Sequence, residues 1–115
     1  MPIWQWSNRR KPNFVDMKNT LPTLIIGAGP VGLAAAAQLE LRNEAYVIIE
    51  AGSQVGASIR KWGHVPVFSP WRYMIDEAAQ ALLTQSGWVA PDGESYPTGG
   101  EFVQRYLEPL GAVPA

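Results

Sequence analysis

Apolar residues fall along this chain in two short unbroken runs and two longer stretches of helical period. The first run, Leu24-Ile25-Ile26, lies within a predicted strand over Thr23–Ile26, of the continuous apolar kind that is buried on both faces. An alanine-rich stretch follows and predicts a helix from about Pro30 to Arg42. Its Gly32, Ala36 and Leu39 stand at i, i+4 and i+7, where small side chains permit close contact with a sheet. Asn43-Glu44 ends it, and the second run gives a strand over Ala45–Glu50. A helix between two strands is a crossover, so the two strands are expected to be parallel.

Beyond Glu50 the pattern changes. Ala51 to Tyr73 has no clear period and interleaves Gly52, Gly56, Gly63, Pro66 and Pro70 with Trp62, Phe68, Trp71 and Tyr73. A loop of that length in a compact domain is usually functional. Asp76 then caps a helix to about Ser86, with Ala79, Leu82 and Leu83 on its buried face and Gly87 as its stop. Pro91-Asp92-Gly93 is a turn. Thr98-Gly99-Gly100-Glu101 has the form of a capping box and opens a helix with Phe102, Val103, Tyr106 and Leu110 along one side. Pro109 kinks or ends that helix, and Gly111 finishes it.

The junction between the first strand and the first helix carries the chemistry. Gly27-Ala28-Gly29-Pro30-Val31-Gly32 sits between a strand pattern and a helix pattern, and Glu50 follows the second strand at roughly the 20-residue spacing of a dinucleotide-binding fingerprint. Gly27 permits the tight turn out of the strand. Gly29 removes a side chain where backbone must approach a pyrophosphate, and Gly32 lets the helix pack closely on the strand. Pro30 suits the first helical turn, where a missing N–H costs nothing. Free N–H groups and the positive helix end then face the phosphates. Glu50 would accept hydrogen bonds from a ribose hydroxyl.

Composition narrows the alternatives. With 115 residues the chain is at most one small domain, and 47% hydrophobic against 17% charged residues is globular. A formal net charge of −1, with no basic cluster beyond Arg9-Arg10-Lys11, speaks against a nucleic-acid partner. The absence of cysteine removes disulfides, thiolate catalysis and zinc–sulfur sites, and no metal ligands are assigned. The uncharged stretch Leu21–Leu39 is broken by the glycine turn and closed by Gln38 and Glu40, so no membrane span is expected. A cytoplasmic setting fits this composition.

The segment Gly27 to Ala36, together with Glu50-Ala51-Gly52, resembles the FAD-binding start of two-dinucleotide-fold flavoproteins. Val55-Gly56-Ala57-Ser58-Ile59-Arg60-Lys61-Trp62 is similar to the Gly-Gly-Ser/Thr-Trp segment of flavin-containing monooxygenases. Ala57 stands where those proteins have a second glycine, and three residues intervene before Trp62. The resemblance spans residues 20–110 and is strongest over 23–62. It implies that Gly27, Gly29, Pro30, Val31 and Gly32 contact the FAD pyrophosphate, that Glu50 holds the adenosine ribose, and that Ala51 and Gly52 lie near the adenine. Ser58, Arg60 and Trp62 would border the pyrophosphate or the flavin. It also implies hydride transfer from NAD(P)H to FAD, the NAD(P)H site belonging to a longer parent enzyme.

Several residues keep two readings. Arg60 and Lys61 either neutralise phosphate or are solvated loop cations; Trp62, Phe68, Trp71 and Tyr73 either wall a flavin or close the core beneath the loop, the second being expected. His64, the sole histidine, is expected to serve as a loop hydrogen-bonding residue. No residue is assigned as a catalytic acid or base. Residues 1–20 are expected to be a disordered N-terminal extension, since Met1 to Lys18 shows neither helical nor strand period. Residues 1–16 would lie upstream of the natural start, unless Trp4 and Trp6 dock on the domain surface. Residues 21–115 are expected to form the N-terminal part of an FAD/NAD(P)-binding domain.

The expected fold is thus α/β, a partial Rossmann-like βαβ unit followed by a long loop and two helices. Two parallel strands are too few for a stable open sheet, so the domain is expected to be incomplete and the 115-residue chain inactive by itself, holding FAD poorly. Against an FAD-dependent oxidoreductase stand a nicotinamide-only dehydrogenase, an adenosyl-dependent methyl transferase, and a truncated remnant that binds nothing. The long glycine- and aromatic-rich segment after Glu50 favours FAD over the first, and the three-glycine spacing argues against the second.

Overall fold

The protein is described by a computed structural model that covers the backbone of residues 4–7 and, in full, residues 21–113. Its sheet has three strands, β1 (Trp4–Ser7), β2 (Thr23–Ile26) and β3 (Tyr46–Glu50), in the order β1-β3-β2. The strands β2 and β3 are parallel in the register Thr23↔Tyr46 to Ile26↔Ile49, joined by the helix α1 (Pro30–Leu41). This is the βαβ unit that the apolar runs predict. The strand β1 was not expected. It pairs antiparallel with β3, Trp4 opposite Glu50 and Ser7 opposite Val47. Trp4, Gln5, Trp6 and Ser7 alternate apolar and polar types, a short strand period that Met1 to Lys18 as a whole does not show, and β3 pairs with them. The remainder of the expected extension lies outside the described residues.

The helix α1 ends as a Schellman motif. Asn43 stands at φ +63°, its N–H donates to the Glu40 carbonyl at 3.1 Å, and the Glu44 N–H donates to the Leu39 carbonyl at 2.9 Å. The buried stripe of α1 is Leu33, Ala36, Ala37 and Glu40, shifted from the Gly32-Ala36-Leu39 line read from the sequence. Glu40 closes it as a buried carboxylate that accepts the Tyr46 hydroxyl at 3.1 Å. The helix covers one face of the sheet only. Ile25 and Ile48 are buried there, whereas Leu24 and Ile26 remain 57% and 76% exposed. The expectation that β2 is buried on both faces is therefore corrected: no second layer covers it among the described residues.

The segment after β3 is more ordered than a long loop. It contains a single helical turn, α2 (Ala57–Arg60), and a 3₁₀ turn over Trp71–Tyr73. Backbone hydrogen bonds join it to residues 93–100: Gly100 N–H to the Gly63 carbonyl, Gly99 N–H to Val65, Val67 N–H to Pro97 and Trp71 N–H to Ser95, all between 2.8 and 3.0 Å. Of the four aromatics expected to close the core, Trp71 alone does so, at 1% exposure. Trp62, Phe68 and Tyr73 are exposed, because the segment satisfies its backbone against residues 93–100 and carries these side chains outward.

Two further helices complete the core. The helix α3 (Glu77–Gln85) is capped by Asp76, whose carboxylate accepts the Ala79 N–H at 2.9 Å, and buries Ala78, Ala79, Leu82 and Leu83. It ends in a second Schellman motif, with Gly87 at φ +91° and the Trp88 N–H bonded to the Leu83 carbonyl. The turn read at Pro91-Asp92-Gly93 lies slightly later, closed by the Ser95 N–H to the Asp92 carbonyl. The last helix opens at the capping box of Thr98 and Glu101 and runs as α4 (Gly99–Phe102), a π-helical turn (Val103–Leu107) and α5 (Glu108–Gly111). Phe102, Val103, Tyr106 and Leu110 are buried as read, with Leu107 beside them.

Pro109 neither ends nor breaks this helix. Proline has no N–H for the carbonyl four residues back and its ring crowds that carbonyl. The π turn widens the helix just before it, the Glu108 N–H reaching the Val103 carbonyl. The carbonyl that proline leaves open, that of Arg105, accepts the Trp88 indole N–H at 2.8 Å. Replacing Trp88 by Phe is expected to cost about 0.5–1.5 kcal/mol in urea denaturation, the range of one net hydrogen bond. In a Pro109→Ala background, which restores a donor to Arg105, the same change should cost measurably less; strict additivity would show that the indole bond is idle.

Tyr106 yields a second expectation. Burial pushes its phenol above the ordinary value; the hydrogen bond from the Asp76 N–H opposes this, and the Asp76 charge adds to it. The folded state therefore favours the neutral phenol. Its contribution to stability is complete below about pH 10 and is lost as pH rises through the higher folded value. Wild-type protein should lose more stability than Tyr106→Phe between pH 8 and pH 11, by equilibrium denaturation at each pH. Equal losses would contradict the shift.

Candidate functional site

The turn between β2 and α1 is built on backbone. Gly27 stands at φ +100°, a conformation open to glycine, and its N–H donates to the Ile49 carbonyl at 2.7 Å. Gly32 is dictated by packing: a Cβ there would lie 1.9 Å from the Gly27 carbonyl oxygen. Gly29 is different. It caps α1 at φ −93° and ψ −166°, and a Cβ would meet no protein atom within 4 Å. Neither backbone conformation nor packing within the described residues demands a glycine at this position. Its bare backbone leaves that side of the turn open.

The start of α1 is uncapped by any side chain. Pro30 occupies the first turn, and the first intrahelical bond is Leu33 N–H to the Gly29 carbonyl at 3.0 Å. The N–H groups of Val31 and Gly32 precede it and have no partner within the helix. With the helix dipole behind them, they form an anion-binding end. Val31 itself is exposed.

Glu50, half-buried at the end of β3, closes the site. One carboxylate oxygen accepts the Ala28 N–H at 2.8 Å and the other the Gly52 N–H at 2.7 Å. The acid is thereby fixed in place beside the glycine turn, and each oxygen keeps a lone pair for a further donor. A carboxylate held by two amides, with acceptor capacity to spare, is suited to receive a hydroxyl such as that of a ribose. Gly52 is constrained by the same arrangement, since a Cβ there would meet the Ala57 Cβ at 2.3 Å. Ala51 is exposed beside it.

Gly27, Gly29, Pro30, Val31, Gly32, Glu50 and Gly52 thus gather at the ends of β2 and β3, as the fingerprint requires. Farther along, Ser58 and Lys61 are exposed, and Trp62 and Ile59 both lie against Gly99 at the opening of the last helix. Arg60 donates through Nε to the Val55 carbonyl at 2.9 Å and pairs with Glu108 at 2.7 Å. His64 is exposed. Two contributors escaped the sequence reading. Ala28 is fully buried, and its carbonyl accepts the Gly56 N–H at 3.0 Å. Gly56, at φ +69°, marks a sharp turn whose signal was present as an isolated glycine in an aperiodic stretch.

Among the described residues no group of His, Asp and Glu is arranged to hold a metal, and no helix is long and apolar enough to cross a membrane. No curated protein and no solved structure matches the chain at a significant level. Residues 24–80, from within β2 to the first turn of α3, match the family model described as pyridine nucleotide-disulphide oxidoreductase. Over that span the chain is similar to this family, and the similarity supports an oxidoreductase that uses a dinucleotide cofactor.

Proposed function

We propose that this chain is the FAD-binding portion of an NAD(P)H-dependent flavoprotein oxidoreductase, of monooxygenase-like type. The observation that carries it is Gly29, a glycine that nothing among the described residues requires, set at an uncapped helix start beside a fixed carboxylate. The residues fit the adenosine diphosphate half of the cofactor. Val31 and Gly32 would donate N–H groups to the pyrophosphate, Gly29 would let it approach, and Glu50 would accept a ribose hydroxyl. Bound flavin would take hydride from NAD(P)H and pass the electrons to an acceptor. Ser58, Trp62 and Ala51 are proposed to border the cofactor, as the resemblance to flavin-containing monooxygenases implies.

Titration of ¹⁵N-labelled protein with FAD is expected to move the amides of Gly27 to Gly32 and of Gly52, with ADP competing because it carries the shared half. Gly29→Ala should leave thermal unfolding unchanged, since its Cβ meets open space, and yet abolish these shifts. In Gly32→Ala both folding and binding should fail, by overpacking of at least about 1–3 kcal/mol. A Gly29→Ala protein that binds FAD as the wild type does would remove the turn from the site. Stronger binding of NAD than of FAD would instead favour a nicotinamide-only dehydrogenase.

Glu50→Ala is expected to weaken FAD binding by about 1–3 kcal/mol, through loss of a charged acceptor for the ribose. It should also lower stability, because the Ala28 and Gly52 N–H groups lose their partner. Fluorescence titration and thermal unfolding read the two effects separately. Undiminished affinity would show that Glu50 is purely structural.

A further inference from the structure

Arg60 lies in the segment whose resemblance implies contact with the pyrophosphate, and the geometry gives it other work. Its Nε donates to the Val55 carbonyl at 2.9 Å, and its Nη2 pairs with Glu108, on α5, at 2.7 Å. Between these contacts lies Gly56, packed against the π-helical turn: a Cβ there would meet Val103 at 3.0 Å and Leu107 at 3.3 Å. Gly111 is packed against Val55 in the same way, a Cβ meeting its Cγ2 at 2.9 Å. Residues 55–56 are thus held by the last helix on one side. On the other, the Gly56 N–H donates to the carbonyl of Ala28, whose own N–H is held by Glu50. A continuous set of contacts runs from Glu108 through Arg60 and Gly56 to the middle of the glycine turn.

We infer that Arg60 is a positioning residue and not a phosphate ligand: paired with Glu108, it braces the Val55-Gly56 turn, which sets the Ala28 peptide and so the adenosine end of the dinucleotide site. This rests on dinucleotide binding at the glycine turn. A direct ligand and a brace differ in what they need. A phosphate ligand acts without Glu108, and a guanidinium released from Glu108 would bind phosphate better. A brace fails when either partner is removed, and it matters equally for a ligand without phosphate, because it acts through Ala28 and Glu50.

The test compares wild type, Arg60→Met, Glu108→Gln and the double variant. In the absence of ligand, hydrogen exchange at the Gly56 N–H reads the brace itself and is expected to quicken in all three variants. Affinities for FAD and adenosine, followed by amide shifts, should fall by the same factor in Arg60→Met and Glu108→Gln, roughly two- to five-fold for a partly exposed pair. The double variant should bind no worse than Arg60→Met alone. The inference is overturned if Glu108→Gln leaves FAD binding unchanged or tightens it. It is equally overturned if Arg60→Met weakens FAD and spares adenosine. Wild-type protein that binds neither ligand would sink the dinucleotide site, while Gly56 exchange would still show whether the brace exists.

Discussion

The backbone of Ala28 is the constraint on which this structure turns. It is fully buried in the glycine turn, where an unpaired N–H or carbonyl would be costly. Its N–H goes to Glu50, twenty-two residues away, and its carbonyl to Gly56. The glycine turn and the segment that follows β3, more than twenty residues apart in sequence, therefore meet on the backbone of one residue. The turn could not take this form with a side chain at Gly32, where helix and strand approach within the reach of a carbonyl. Nor could Glu50 be placed as it is without Gly52, whose N–H holds its other oxygen. A carboxylate engaged by two amides is oriented before any ligand arrives, so little ordering cost remains at binding. Fold and site are here the same set of hydrogen bonds.

What the sequence disclosed follows the range of the forces involved. The strand Thr23–Ile26, the Asp76 cap, the Thr98–Glu101 capping box and the Gly87 stop were all legible, because each is settled within a few residues of chain. The strand–turn–helix geometry at Gly27 to Gly32 was legible for a related reason: a tight turn into a closely packed helix leaves few residue choices. What was missed depends on neighbours distant in sequence. Glu40 has the position of a surface residue at the end of a helix, and only the Tyr46 hydroxyl makes its burial intelligible. Leu24 and Ile26 carry the pattern of a strand enclosed on both sides, and their exposure reflects which layers surround the sheet. The strand β1 depends on its pairing with β3, some forty residues later, which the stretch Met1 to Lys18 does not disclose.

The exposed aromatics separate two ideas that the sequence merged. Trp71 enters the core between Phe102, at 5.9 Å between ring centroids, and the Arg105 guanidinium, at 5.7 Å from its own ring. Phe68, three residues earlier, is wholly exposed on a backbone fixed by bonds to residues 93–100. An aromatic-rich stretch is therefore not by itself a core. The backbone pairing decides the direction of each side chain, and that pairing is set by a segment some thirty residues later.

The same logic gives meaning to the distortion in the last helix. Gly87, by ending α3 in a left-handed turn, sets the position of Trp88. Trp88 then supplies the donor that Pro109 withholds from Arg105, and the helix passes the proline by widening over Val103–Leu107. Val103 and Leu107 are the two residues of that widened turn that touch Gly56. A proline in mid-helix normally destabilises by about 3 kcal/mol or more. Here its local consequences are absorbed by one indole N–H and one π turn, and the surface that results abuts the segment holding Ala28. The energetic defect and the glycine turn are joined through a single glycine, and the geometry of that turn thus depends on residues far downstream, Val103 and Leu107.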